Sequence, residues 1–330
     1  MNERSQIASA LRRAYRSLYW WRHDRELLRP LAGIRTVVAF GESVGDNLLC
    51  SVVLEGLQAE GAGPLAMLTP FPDLFEGAPP ALRLLPFSPD LVATLRRRGP
   101  RLILPNYGVF DPVLDRHVPQ PRAHLIVEMA RSAGLRGRVA LKPILRLSPE
   151  ERSAGQALAA GCILIQSSSQ GAPIPAANKD WPQARWQEVA DALAGRFPVA
   201  QVGSASDPLL RGVRDLRGRL SRRQVAAALA AARLFAGPEG FLMHAARAVD
   251  CRSVIVLGGR TAPGQTCYPE NANLYTAVPC APCWQRNACQ FGRLCLDQIS
   301  PAEVLAAIDG QLALPPLAGP GVQVELGPGA

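Results

Sequence analysis

Four stretches of the 330-residue sequence bring together residue types that can do chemistry. The first is the turn Gly41-Glu-Ser-Val-Gly-Asp46 at the mouth of a helix. Free N–H groups and the positive helix end keep a carboxylate there ionised. Asp46 is therefore either a plain N-cap or, aimed into a cleft, a group that accepts a proton from a hydroxyl. The second is the polar loop Ser167-Ser168-Ser169-Gln170-Gly171, followed by Asn178-Lys179-Asp180-Trp181-Pro182. Its serines, Ser168 at the centre, and their amides can hold phosphate oxygens, and Lys179 can set a point charge against a diphosphate. A solvated loop lysine is the ordinary alternative. The third is Gly237-Pro-Glu-Gly-Phe-Leu-Met-His244, where Glu239 can take both hydroxyls of a ribose or sugar. The amides from Gly240 onward can face phosphate, while His244 either reaches the same site or packs as a buried histidine. The fourth is Cys280-x2-Cys283-x5-Cys289-x5-Cys295, four thiols within 16 residues. That spacing lets a loop fold around one tetrahedral zinc or iron ion, with two local disulfides as the alternative. Four protein ligands leave no open position, so such an ion is structural rather than catalytic.

Alternating strands and helices are what hold these positions. A strand over 35–40 is followed by the Asp46 turn and a helix to about Glu60, then strands at 65–69 and 102–104. A linker is predicted near 142–151. A second series follows, with strands at 162–166, 199–203, 234–236 and 253–257, and helices at 183–196, after Ser221, at 241–249 and after Ser300. Ser221-Arg-Arg-Gln224 and Ser300-Pro-Ala-Glu303 have capping-box spacing. Two such series predict an α/β protein with two Rossmann-like domains facing each other across a cleft, over 34–150 and 151–312. Ligands in open parallel sheets bind past the carboxyl ends of strands. Gly203, ending the predicted 199–203 strand, therefore joins the candidate donor-binding set with Ser168, Lys179, Glu239, Gly240 and His244.

The net charge is +9, from 36 basic and 27 acidic residues, and only Lys142 and Lys179 among the 36 are lysines. Where arginine serves as the generic cation, a retained lysine marks a position of interest. The positive balance suits nucleic acid, phosphorylated substrates or an anionic membrane surface without choosing among them. Hydrophobic residues at 48% and charged residues at 19% exclude a disordered or collagen-like chain. No apolar run reaches the roughly 18 residues that cross a bilayer. Cys50, Cys162 and Cys251 lie in apolar segments as small buried hydrophobes. Residues 1–33 precede the first domain. Ile7, Leu11, Ala14, Leu18 and Trp21 share one helical face flanked by Arg12, Arg13, Arg16 and Arg22, which suits either an anionic bilayer surface or a helix docked on its own protein. Residues 313–330, rich in proline and glycine, are expected to be disordered.

Taken in order, these motifs resemble glycosyltransferase family 9, which includes the ADP-heptose:lipopolysaccharide heptosyltransferases. The resemblance is carried by Ser43-Val-Gly-Asp46, Lys179-Asp-Trp-Pro182 with Trp186, Gly237-Pro-Glu-Gly240 with His244-Ala-Ala, and Leu257-Gly-Gly259. It continues through Cys280-Ala-Pro-Cys283 and Cys295 into Ile299-Ser-Pro-Ala-Glu-Val304, and covers about residues 34–308. It implies the GT-B fold, a nucleotide-diphosphate sugar donor on the second domain and an acceptor on the first. It also implies an inverting transfer with Asp46 as general base, Lys179 at the donor phosphates, and Glu239 with Gly240–His244 at the donor sugar or ribose. The sequence departs from the family in reading Glu-Gly-Phe where an aspartate followed by Ser/Thr-Gly is typical, which leaves donor sugar and base open.

The expected reaction is a single displacement onto a hydroxyl of a glycan or lipopolysaccharide-type acceptor. It takes place in the cytoplasm or peripherally at the inner face of the cytoplasmic membrane, with no cofactor in catalysis. The chain contains no Asp-x-Asp triplet, which argues against a metal-bridged diphosphate. Two other readings fit less of the sequence. A nucleotide-sugar epimerase would use the same cleft without an acceptor. A basic nucleic-acid-binding protein with a zinc knuckle explains the charge and the cysteines but not Asp46 and Glu239. At 6% aromatic residues, platforms for stacking single-stranded bases are also scarce.

Overall fold

The computed structural model describes residues 24–41, 43–79 and 81–327. The amphipathic helix expected around Ile7–Trp21 lies outside them. The first half is built on strands β1 (Thr36–Ala39), β2 (Leu65–Thr69), β3 (Leu82–Pro86) and β4 (Arg101–Ile103). They form a wholly parallel sheet in the order β3-β2-β1-β4. Every residue of β1 and β2 is buried, as unbroken apolar runs require when helices cover both faces. Helix α1 (Val44–Ala59) joins β1 to β2. Helix α2 (Pro89–Arg97) starts at an N-cap, Ser88, with proline at N1. A short antiparallel hairpin, β5 (Val109–Asp111) and β6 (Arg116–Val118), leaves the sheet after β4. Helix α3 (Leu125–Ser132) and strand β7 (Arg138–Ala140) complete this half.

The second half opens with α4 (Pro149–Ala159), followed by β8 (Ile163–Ile165), α5 (Gln183–Ala194), β9 (Val199–Gln201) and β10 (Arg214–Asp215). Next come α6 (Arg222–Ala231), β11 (Leu234–Pro238), α7 (Phe241–Ala248), β12 (Ser253–Gly258), β13 (Ala272–Tyr275) and α8 (Pro301–Leu312). Its six strands are all parallel, in the order β10-β9-β8-β11-β12-β13. Capping boxes at Ser221/Gln224 and Ser300/Glu303 start α6 and α8.

Two expectations change. The stretch near 142–151 is not linker throughout. Ser148 and Glu151 form a third capping box, with proline at N1, that starts α4. The tail is not disordered up to Leu326. Residues Gln323–Glu325 form β14, which pairs antiparallel with β7, because β7 otherwise presents an open edge whose backbone groups need partners. Leu326 is buried and its carbonyl accepts a 3.0 Å bond from Arg131 Nε.

A hydrophobic cluster runs across the boundary between the halves, from Leu48, Leu49 and Val52 on α1 to Leu242, Met243 and Ala245 on α7. Arg222 adds a bidentate bond to Asp73 at 2.8 and 2.9 Å, and Arg223 ties Glu151 to the Asp73 carbonyl. Such fork-on-carboxylate pairs fix orientation as well as distance. Among the described residues no helix is long and apolar enough to cross a membrane.

Candidate active site

Helix α1 begins with Ser43, whose Oγ accepts the N–H of Asp46 at 3.4 Å. Ser43 is therefore the cap, and the Asp46 side chain, one turn in, is released from the capping role that its position had left open. It enters a cavity of about 590 Å³ between the halves. Burial, and then the negative charge of Glu239, push Asp46 up to about 6. The hydrogen bond from Tyr107, the charge of Lys179 and the bond to Ser43 pull the other way. Tyr107 Oη donates to Asp46 Oδ2 at 3.0 Å.

The opposite wall belongs to the second half. Lys179, in the short helical turn Ala177–Lys179, places Nζ 2.7 Å from Glu239 Oε2, and Arg260 Nη1 lies 3.5 Å from the same oxygen. Burial alone would raise Glu239, but the two cations hold it down at about 2, while burial lowers Lys179. One carboxylate facing two cations leaves one net positive charge, which suits a diphosphate. Gly240 precedes α7, so the free N–H groups of that helix open onto the same space. A second cavity, of about 410 Å³, shares Ser43, Gly45, Lys179, Glu239 and Gly240 with the first. It runs on past Gln166, Ser169 and Gly203 to an apolar end at Val202, Leu216 and Leu220. Gly203 sits at φ +130°, and a Cβ there would strike the Asp207 carboxylate, which is why glycine is needed.

Asp46, Lys179, Glu239, Gly240 and His244 thus line one cavity, and Gly203 the one that joins it. Ser168 does not. It is buried, accepts from the Gln170 N–H and bonds Asp180, and it is Ser169 that reaches the cavity wall. Ser167 and Ser168 both turn into the protein, and the loop brings out the hydroxyl of Ser169. His244 combines its two expected roles. Its Nδ1 is 2.7 Å from Tyr268 Oη and burial lowers it to about 4, so it is neutral, yet it lines the cavity. Its ring packs on Gly45, where an added Cβ would lie 3.2 Å from Cδ2. The two halves meet there. Lys142, the other lysine, pairs with Asp250 at 2.6 Å, away from the cavity.

Cys280, Cys283, Cys289 and Cys295 are free thiols lining a third cavity of about 280 Å³ with Arg116, Arg260 and Arg293. Burial raises the Cys283 and Cys295 thiols. Among the described residues no group of three or more His, Cys, Asp or Glu side chains converges closely enough to hold a metal ion. The sulfurs share a cavity without forming a ligand set as they stand. The cysteine loop is nevertheless wired to the active site. Asn178 donates to the carbonyls of Gln285 and Ala288 and accepts from Arg293, and Arg260 donates to the Gln285 carbonyl. Asp115 at the hairpin tip accepts the N–H groups of Asn287 and Ala288 at 2.6 and 2.7 Å.

Residues 138–292 match the model of glycosyltransferase family 9 (heptosyltransferase). The chain resembles family 9 glycosyltransferases over that span, just under half of its length. It is an enzyme of the glycosyltransferase class with two parallel sheets in the GT-B arrangement. Solved structures share that fold. The iron-containing dodecameric glycosyltransferase TibC of enterotoxigenic E. coli H10407 superposes with a TM-score of 0.67 at 18% identity, over 84% of this chain and 77% of that one. The E. coli ADP-heptose LPS heptosyltransferase II gives 0.61 at 18%, over 84% and 98%. A family 9 glycosyl transferase from Veillonella parvula DSM 2008 gives 0.59 at 16%, over 84% and 97%. A search of curated proteins returned no match.

The matched span contains Lys179, Glu239 and Arg260, whereas Asp46 and Tyr107 lie in the half before it. Sequence reasoning did not assign Arg260, Tyr107, His117 or Trp284. Arg260 follows Gly258-Gly259 past the end of β12, so the same strand-end rule that found Gly203 could have found it. The hairpin that carries His117 gave no comparable signal.

Proposed function

We propose that this glycosyltransferase is an inverting enzyme that moves a sugar from a nucleotide-diphosphate donor to a hydroxyl of a glycan or lipopolysaccharide-type acceptor. The observation that carries the reading is the facing of Asp46 and the Lys179–Glu239–Arg260 cluster across one cavity. The donor's nucleotide occupies the 410 Å³ cavity, its diphosphate meets Lys179, Arg260 and the start of α7, and Glu239 holds its sugar or ribose. The acceptor enters the 590 Å³ cavity from the first half.

In the reaction, the acceptor hydroxyl gives its proton to Asp46 as its oxygen attacks the anomeric carbon. The bond from that carbon to the phosphate oxygen breaks, and the pair leaves on the nucleotide diphosphate, where the two cations and the helix N–H groups stabilise it. A carboxylate titrating at about 6 is ionised at neutral pH and still basic enough to help. TibC in complex with ADP-D-beta-D-heptose makes ADP-heptose a first donor to try.

A structural zinc or iron ion at Cys280, Cys283, Cys289 and Cys295 belongs to the same proposal. It is supported by the all-thiol set and by TibC being iron-containing. Elemental analysis of the purified protein tests it, and an apo protein with full activity would end it. On this reading the enzyme works in the cytoplasm, peripherally at the inner membrane face through residues 1–33, which its +9 charge supports.

Thermal-shift screening with ADP-, UDP-, GDP- and TDP-linked sugars, followed by transfer assays, tests the whole. A stabilising donor whose sugar is transferred supports the reading. Conversion of a nucleotide sugar without any acceptor would replace it with an epimerase.

A further inference from the structure

Tyr107 reaches the site from the loop after β4, on the far side of the first sheet's switch point from Asp46. Its hydroxyl donates to Asp46 Oδ2 at 3.0 Å, and burial drives that hydroxyl well above the ordinary tyrosine range, so it stays a donor. The ring is held at two places. His117 of the hairpin lies 5.2 Å away centroid to centroid, and Trp284 of the cysteine loop 6.3 Å away. Trp284 is buried, donates Nε1 to Gln265 and lies under the Arg260 guanidinium at 5.4 Å. The ring is thus wedged between both halves, and its hydroxyl is directed at Asp46.

We propose that Tyr107 is a positioning residue for the transfer: by donating to Oδ2 it fixes the Asp46 carboxylate and leaves Oδ1 to receive the acceptor's proton. The proposal rests on the reading of Asp46 as the base. Arg260 and Arg286 line the same cavity, and the groups that act most strongly on Asp46 come from both halves. Glu239 opposes ionisation and Lys179 favours it from the second half, while Ser43 bonds from the same helix. Cys50, one turn down, is held protonated by burial, and His244 and His117 are lowered to about 4 and are neutral. Of the groups that favour the ionised carboxylate, the Tyr107 bond acts most strongly, so its loss should be felt directly in the titration of Asp46.

The test uses the full-length protein and Tyr107→Phe, which keeps the ring. Carboxyl 13C NMR, with the Asp46 resonance assigned from Asp46→Asn, follows the titration without relying on activity. In parallel, kcat/KM for transfer is measured from pH 5 to 9. The expected result is an Asp46 midpoint that moves to higher pH. The acid limb of the rate profile should move with it, with about tenfold lower rate below the midpoint per unit of displacement and convergence near pH 8.5. The melting temperature of the variant should stay near that of the parent at pH 4, where Asp46 is protonated in both, and fall below it at pH 8. An unmoved midpoint, with activity still lost in Asp46→Asn, overturns the role of Tyr107 and leaves the base assignment intact. A moved midpoint with an unmoved acid limb overturns Asp46 as the base, and with it any role of Tyr107 in transfer.

Discussion

Lys179 and Glu239 are joined by a 2.7 Å ion pair across the floor of the cleft, although their segments follow two different strands of the second sheet, β8 and β11. Glu239 is buried and Lys179 only partly exposed, so removing the cation leaves a buried carboxylate short of a partner. Lys179→Met should lower kcat by roughly 10²–10³-fold, because the leaving diphosphate loses a fixed countercharge at the moment it gains charge. Steady-state kinetics with saturating acceptor is the check, and a variant within threefold of the parent would remove Lys179 from the leaving-group role.

Asp46 titrates at about 6 in the folded protein, above its ordinary value of 3.8. The folded state therefore binds this proton more tightly than the unfolded chain. That stabilisation is complete below about pH 4 and is lost as the pH rises through about 6. Above that range the ionised carboxylate costs stability, up to about 3 kcal/mol for a displacement of about two units. Asp46→Asn should accordingly melt higher than the parent at pH 8 and show no such gain at pH 4, while transfer falls by 10² or more. Calorimetric scans at the two pH values decide this. Equal melting differences at both would contradict a raised carboxylate.

The Asp115 carboxylate anchors the hairpin to the cysteine loop through two backbone N–H groups. Hydrogen bonds to a charged acceptor contribute about 1.5–3 kcal/mol each. Asp115→Ala should let the hairpin swing and carry His117 off Tyr107. The acceptor KM is then expected to rise about tenfold, with donor affinity changed less than twofold. Parallel changes in both constants would mean that the hairpin serves the donor as well.

Helices α4 and α6 pack so tightly that a Cβ on Gly155 would collide with the Ala227 carbonyl. Backbone cannot yield as a flexible side chain can, so Gly155→Ala should destabilise by about 1–3 kcal/mol through overpacking, despite the better helix propensity of alanine. Urea unfolding gives the value directly, and a stabilised variant would show that the helices can part.

The geometry of the candidate site was partly legible because strand-end positions can be read from alternation alone. Asp46, Lys179, Gly203, Glu239 and His244 each follow a predicted strand, and the folded chain sets them around adjoining cavities. What stayed hidden depends on distance. Nothing local in Tyr107 says that its hydroxyl will meet a carboxylate 61 positions earlier. Ser168 and Ser169 are chemically identical in sequence, and only the path of the loop decides which faces the cavity. Some signals were present and unused. Ser148-Pro-Glu-Glu151 repeats the spacing that correctly marked Ser300-Pro-Ala-Glu303, but it sits at the end of a stretch, 142–151, where the alternation of strand and helix loosens and reads as linker. Strand β14 lies in a stretch of glycine and proline, and its partner β7 is too short to signal the need for one.

The return of the C-terminal strand to β7 means that the polypeptide passes between the halves twice, once leaving β7 and once coming back to it. A body suspended at two neighbouring points can swing about the line through them but resists twisting or sliding. Two neighbouring crossings therefore restrict how the halves can move against each other more than a single crossing would. Deleting residues 318–327 would remove one of these crossings and leave the edge of β7 without its partner strand.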